Sequence, residues 1–476
     1  MWHHTVMGNE LWGKGALDLA RLIAAKEVSS REVVQAHLDR IDEVNGRLNA
    51  IVRRLDAEAL AYADAADRAV ASGAKLGRLH GVPVTVKENI DVAGTPTTQA
   101  VVLLAEAIAP IDAPLVERVR AAGAIPIGRT NLPDLGLRVT TESSLHGITH
   151  NPWHPTRTTG GSSGGEGAAL ASGMSPLGFG NDIGGSLRNP ANCCGITSIK
   201  PTTGVVASAT VIPPENGGLS HQLMQTDGPM ARHVADVRAG LLTIAGRHDR
   251  DPRSLPVELV DRTEGRAVRV AVCLDPPGGD THPEIVAAIR RAADALSDAG
   301  AEVVEAVPSS FERAVELWSL ILNEDLRSQR ALLDMVMGEA GRKFLDMADQ
   351  AYPRIDTATL MQSLLDRNRV DREWYTFLTT DHDVLLLPTW AQPPFELGAD
   401  VASFESGLSV MLQLRPVLPA NLLGLPSAVV PVGMADGMPV GAQIVGRRFA
   451  DLTCLAVAEQ LEQAFGTITP IDPVWS

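Results

Sequence analysis

The chain has 476 residues and a formal net charge of −16 at neutral pH. Apolar residues make up 45% and charged residues 21% of it, the composition of a soluble globular protein large enough to bury a core without disulfide or metal staples. The acidic balance excludes the broad basic surfaces with which proteins hold nucleic acid or anionic membranes.

The length allows about three average domains. No linker, charge block or low-complexity run divides the chain, so a single domain over 1–476 is the expectation. The start, Met1 to Trp12, holds His3, His4, Asn9 and Glu10 and no apolar core of a signal peptide. No run reaches membrane-spanning length. Cys193, Cys194, Cys273 and Cys454 form neither a disulfide framework nor a spaced metal motif, and they read as small buried residues of a reducing, cytoplasmic protein.

Ser29-Ser30-Arg31-Glu32 is a capping box, and Val34, Leu38, Ile41 and Val44 continue it at helical spacing. Leu55 to Ala71 is an alanine-rich helix closed by Gly73. Val82 to Val86 is a short β-branched run that reads as a buried strand, with Lys87 at its end. Taken alone, such a lysine is a solvated surface residue. Asp112 to Ala122, Gly123 and then Ala124 to Gly128 read as helix, glycine cap and strand.

Gly160-Gly161-Ser162-Ser163-Gly164-Gly165-Glu166-Gly167 and Asp182-Ile183-Gly184-Gly185-Ser186-Leu187-Arg188 are glycine-dense turns carrying serines. Glycine serves where backbone must approach a neighbour closely or take positive φ. The bland alternative is a pair of flexible surface loops, which are polar throughout. The small apolar run Ala168 to Phe179 between them reads instead as one element buried in the core.

Downstream, Val205 to Gln225 is irregular, with Pro213-Pro214 and Gly217-Gly218, and is a candidate wall of a pocket. Val268 to Leu274, Pro283 to Ala299 and Glu302 to Glu305 form strand, helix and strand, with Gly300 closing the helix. Phe311 to Thr379 reads as helices of mixed charge. Val384 to Leu387, Ala428 to Val432 and Gly441 to Val445 are buried strands. Alternating helices and strands predict an α/β fold with a central mixed sheet covered by helices on both faces.

The stretches 160–173 and 180–204, with Gly81-Val82-Pro83-Val84-Thr85-Val86-Lys87-Glu88-Asn89 upstream and Asn421 to Pro426 and Gly437 to Gly441 downstream, resemble the amidase signature family of serine hydrolases. Arg129-Thr130-Asn131 resembles that family's lysine-threonine-asparagine turn with arginine in the lysine position, and Asn192-Cys193-Cys194 is a second departure. The resemblance implies a signature core at about 80–235 and a variable, substrate-selecting helical part at about 310–380. It makes Ser186 the nucleophile, Ser162 a bridging serine with a cis peptide bond, and Lys87 the base. The backbone N–H groups of Ile183, Gly184, Gly185 and Ser186 would form the oxyanion hole. Ser163, Asp182 and Arg188 are supporting residues; the last two either form a salt bridge or are ordinary turn residues.

The implied activity is cofactor-free hydrolysis of small amides, with anilides, carbamates (urethanes) and esters also within the family's range, by a monomer or homo-oligomer. The alternatives are the amidase-like subunit of a tRNA-dependent amidotransferase and a catalytically silent binding protein. Gly161-Ser162-Ser163-Gly164-Gly165 also satisfies G-x-S-x-G, but Pro155 to Thr159 is not the strand that such an elbow needs. His146, His150 and His154 fall at i, i+4 and i+8, but Pro152 and Pro155 break any helix there, and no metal is expected.

Overall fold

The structure, a computed structural model, describes residues 11–213, 217–261 and 265–475. Most of the expectation for the chain start, and Pro214, lie outside the described residues. Thirteen strands are formed among the described residues: β1 (Ile51–Arg54), β2 (Pro83–Lys87), β3 (Ile125–Thr130), β4 (Glu142–Ser143), β5 (Gly147–Ile148), β6 (Leu177–Asp182), β7 (Thr197–Lys200), β8 (Thr226–Ala231), β9 (Arg269–Val272), β10 (Glu302–Glu305), β11 (Val384–Pro388), β12 (Ser427–Ala435) and β13 (Met438–Gly446). Eleven of them make one sheet in the order β1-β3-β2-β6-β8-β7-β12-β13-β11-β9-β10, while β4 and β5 pair separately. The sheet is mixed: β3-β2-β6 and β11-β9-β10 run parallel, and β6-β8-β7-β12-β13-β11 are joined by antiparallel pairs.

Both faces are covered, and the strand period explains how. Val270, Val272, Val384, Leu386, Ala428 and Ile444 enter one apolar cluster, together with Leu19, Val116, Val237, Ile289 and Leu455 from helices on that side. Their strand neighbours Ala271, Leu385, Leu387 and Val445 enter another, with Phe311, Leu317, Val370 and Trp374. Successive side chains of a strand point to opposite faces, so apolar runs without alternation are what a doubly covered sheet demands.

Local signals fix the element ends. Ser29 caps helix Ser30–Leu48 with the full reciprocal box, and Val34, Leu38, Ile41 and Val44 are its buried stripe. Gly123 takes φ +86 between helix Pro114–Ala121 and β3. One expectation needs correcting. Ala168 to Phe179 is buried throughout but is not one element: helix Gly164–Ala171 ends inside it and β6 begins at Leu177. The turn at Gly173, with φ +80, separates them. The strands expected near 428–432 and 441–445 are longer and form one hairpin.

Leu386 on β11 is fully buried. Leu386→Ala is expected to destabilise the protein by about 2–5 kcal/mol through lost burial and a residual cavity, seen as a lower urea midpoint.

Candidate active site

The site forms where β2 and β6, parallel neighbours, reach their C-terminal ends. Lys87 is the last residue of β2 and is fully buried. Its Nζ donates to Ser162 Oγ at 2.7 Å and to Asn181 Oδ1 at 2.7 Å. Asn181 Nδ2 in turn donates to Asn89 Oδ1 at 3.0 Å. Burial lowers the Lys87 ammonium to about 7, against the opposing pull of Asp182, Asp227 and Glu166. A lysine this close to neutrality can accept a proton at physiological pH.

Ser162 follows a cis peptide bond from Gly161. Helix Gly164–Ala171 starts immediately after Ser163, whose N–H donates to Ser186 O at 3.3 Å. The glycines here admit close packing: a Cβ on Gly165 would lie 2.5 Å from the backbone N of Asn131. The two serine turns are therefore stitched together. Ser162 and Ser186, with Asn181 and Ile183, line one cavity of about 610 Å³. Among the described residues Ser186 Oγ has no hydrogen-bond partner, so the Lys87–Ser162 link is formed and a direct Ser162–Ser186 bond is not.

The turn after β6 is held by a buried charge. Asp182 accepts from Gly185 N (2.8 Å), Leu187 N (3.1 Å), Arg188 Nε (3.0 Å), Arg188 Nη2 (3.0 Å) and Asn421 Nδ2 (2.9 Å). Asp182 and Arg188 side chains are both fully buried, so of the two sequence readings the salt bridge holds. Although burial opposes ionisation, the Arg188 guanidinium and the Asn421 amide hold the Asp182 carboxyl well below the usual carboxylate range.

This arrangement corrects one expected donor. Gly185 takes φ +98 and its N–H is engaged by the Asp182 carboxylate, an Asx-type turn, so it is not free for a ligand. Among the described residues the N–H groups of Ile183, Gly184 and Ser186 have no acceptor. Trp318 Nε1 donates to Ile183 O at 2.9 Å. Because a trans peptide sets its C=O and N–H in opposite directions, that bond turns the Gly184 N–H away from Trp318.

The irregular segment after β7 does wall the cavity, through Ser208, Ala209 and Thr210 and through Ser220 and His221 of the short helix Leu219–Met224. Leu322, Leu326, Gln329 and Leu333 come from the helices Phe311–Ser328 and Arg330–Val336 and the junction between them. Arg129 lies beneath the site and donates to Lys87 O at 3.3 Å and Ile90 O at 2.5 Å. Asn192 Oδ1 accepts from Gly441 N at 2.7 Å, so both departures from the resembled pattern are packing residues near the site.

Sequence reading missed Asn181, Asp227 and Trp318. Asn181 stands directly before Asp182 and could have been found from that position, Asp227 lies in the stretch 226–232 that also fits the resembled pattern, and nothing local marked Trp318. Ser163 Oγ faces Asn181 O at 3.4 Å on the scaffold side, and its residue opens a helix with no strand before it, which removes the G-x-S-x-G elbow. His146 bonds Glu88, His150 bonds Pro155 O and His154 contacts Thr156, so the three histidines do not converge. Among the described residues no cluster of histidine, cysteine and carboxylate suits a metal ion, and no helix is long and apolar enough to cross a membrane. The four cysteines are buried free thiols.

The amidase family model matches residues 32–455. An indoleacetamide hydrolase of Bradyrhizobium diazoefficiens is 40% identical, covering 96% of this chain and 88% of its own. A glutamyl-tRNA(Gln) amidotransferase subunit from Salinispora arenicola is 34% identical, covering 97% and 99%. The structure of a 6-aminohexanoate cyclic dimer hydrolase with its substrate superposes with a TM-score of 0.84 at 28% identity, covering 98% of this chain and 99% of that one.

Replacing Asp182 by Asn leaves Arg188 as a buried cation without its counter-ion. The expected loss is about 3–5 kcal/mol of stability, measured as a fall in the urea midpoint.

Proposed function

The chain belongs to the amidase family, hydrolases of non-peptide carbon–nitrogen bonds, and from that premise we propose that it cleaves small amides through a Ser186–Ser162–Lys87 triad and an acyl-enzyme. The observation that carries this reading is the 2.7 Å bond from Lys87 Nζ to Ser162 Oγ, made on the wall of the cavity that also holds Ser186. Asn181 Oδ1 can only accept, so a neutral Lys87 gives it one N–H and aims its lone pair at the Ser162 hydroxyl.

Lys87 takes the Ser162 proton while Ser162 takes the Ser186 proton, and Ser186 Oγ attacks the amide carbonyl carbon. Charge on the carbonyl oxygen is met by the N–H groups of Ile183, Gly184 and Ser186, preorganised by the Asp182 turn. As the C–N bond breaks, the proton held on Lys87 returns through Ser162 to the departing nitrogen. Water then enters by the reverse relay, attacks the ester carbonyl and frees Ser186. No step calls on a cofactor, and a cytoplasmic monomer or homo-oligomer suffices.

Primary amides and anilides are the first substrates, with aryl esters and carbamates chemically accessible to the same triad. The likeness to an indoleacetamide hydrolase favours a primary amide. The second reading, an amidase-like amidotransferase subunit, draws support from the Salinispora relative and requires partner chains.

Amine release from a primary amide, an anilide, an aryl ester and an aryl carbamate tests these readings. The expected result is turnover by the lone chain that falls about 1,000-fold or more in Ser186→Ala. Full activity in Ser186→Ala would overturn the nucleophile, and turnover gained only on adding partner subunits would favour the second reading.

The pH profile has a definite sign. Lys87 works as the neutral amine, and its ammonium titrates near about 7. kcat/KM should therefore rise about tenfold per pH unit below that value and level above it, with an apparent pKa shared by the Lys87–Asp227–Glu166 cluster. A profile flat from pH 5 to 8 would remove Lys87 from the role of base.

A further inference from the structure

Of the charged groups on the cavity wall that the serine–lysine chemistry does not use, one stands beside Asn181. Asp227 of β8 is the direct antiparallel partner of Asn181 on β6. Opposed residues project to the same face of a sheet, and Asp227 accordingly lines the cavity with Ser162, Asn181 and Ser186. It is only 5% exposed.

The other charges of the wall meet a partner through at least one atom, although among the described residues Asp91 Oδ1 is buried without one. Arg253 Nε lies 3.4 Å from Asp251, and Arg250 pairs with Glu117 at 2.5 Å. Asp251 Oδ2 accepts from Ser208 N (2.9 Å), Asp91 Oδ2 from Val211 N (2.7 Å), and Asp325 Oδ2 from Ser220 N (2.9 Å). Asp227 has the Ser208 side chain as hydrogen-bonding neighbour and, like Asp91 and Asp325, forms no salt bridge among the described residues; of the three it alone stands across the ladder from Asn181.

Burial pushes its carboxyl up to about 6, with Ser208, Lys87 and Arg253 opposing and Asp251 adding to the rise. At neutral pH it is still mainly an anion. Lys87 cannot serve as its counter-ion during turnover, because the base must be uncharged. A desolvated carboxylate with no cation in contact is unfavourable, and a cationic ligand group placed against it relieves that cost.

We propose that Asp227 is a specificity residue that selects amides carrying a protonated amine, whose ammonium group docks against this carboxylate on the cavity wall beside Asn181. The inference rests on the hydrolase reading above and adds the charge class of the substrate.

The test pairs ω-aminoacyl p-nitroanilides with their alkyl isosteres, and N-(aminoalkyl)benzamides with N-alkyl ones. In at least one series the wild-type kcat/KM ratio of ammonium to neutral substrate should reach about tenfold or more. The ratio should fall towards one in Asp227→Asn and persist in Asp227→Glu, with circular dichroism checking the fold of each. A ratio near one in the wild type, or one that survives Asp227→Asn, overturns the proposal, including the case in which Asp227→Asn moves only the apparent pKa of the pH profile. If no member of the panel is turned over, the hydrolase reading fails separately. Calorimetry of n-butylammonium against n-butanol on Ser186→Ala, with and without Asp227→Asn, then decides the charge assignment: heat specific to the cation and dependent on Asp227 supports it, and equal or absent heats refute it.

Discussion

A single buried carboxylate organises the turn that carries Ser186. Asp182 sits at the end of β6 with no access to water, and an anion there must find donors inside the protein. It finds them in its own turn and in a segment more than two hundred residues away. Gly185 and Leu187 give backbone N–H groups, Arg188 gives a two-pronged guanidinium, and Asn421 gives its amide. Arg188 then reaches Val417 O at 2.8 Å and Gln443 Oε1 at 2.7 Å. The loop bearing Ser186 is thereby tied to strand β13 of the main sheet and to the Asn421 region as one charge-balanced unit. Such a unit is rigid because every member would be left unpaired by any other arrangement.

Around it lies a second balance, between one lysine and carboxylates kept apart from it. Lys87 is drawn towards neutrality by desolvation, while Asp182, Asp227 and Glu166 favour its charged form. Glu166 is itself pushed up to about 7 by burial, and it accepts from Thr130 Oγ1 at 2.7 Å and from Thr85. The threonines partly replace water around that carboxyl, so it need not take the Lys87 proton to be tolerated. A fully charged salt bridge to Lys87 would have fixed the ammonium and removed the base. Burial without a contacting counter-ion is what would leave the amine free to act as the proposed base.

Much of this was legible in the chain because the deciding signals are local. Ser29 and Glu32 satisfy each other across one helical turn, and Gly123 takes a backbone conformation that side chains disfavour; neither depends on distant structure. The serine turns and Lys87 were readable as short motifs, and the signs of burial came from apolar runs. The failures share a different cause. Periodicity could not break Ala168 to Phe179 into helix, turn and strand, since every residue there is buried and no polar face marks a period. Gly185 looked equivalent to Gly184, and only the approach of the Asp182 carboxylate separates their N–H groups. Trp318 lies more than a hundred residues from Ile183, so its bond to that carbonyl follows from tertiary packing alone.

The division of labour follows from the same distinction between local and distant. The groups proposed for the proton path and the oxyanion donors come from strand ends and a turn held by the Asp182 hydrogen bonds. The cavity wall is assembled from the segment after β7 and from helices beyond residue 310, which touch the core through side chains rather than through the sheet ladder. Asp325 illustrates the joint: its carboxylate accepts from Leu219 N at 3.0 Å and Ser220 N at 2.9 Å, so one side chain docks the helical part on the irregular wall. Those helices also reach the Ser186 turn, where Trp318 Nε1 donates to Ile183 O at 2.9 Å. Asp227 differs from these segments, since like Asn181 it is a wall residue carried on a core strand, directly across the ladder from the Asn181 that accepts from Lys87. The charge recognition proposed for Asp227 would sit beside the proposed proton path, whereas Leu322, Leu326 and Leu333 line the cavity from the helical part.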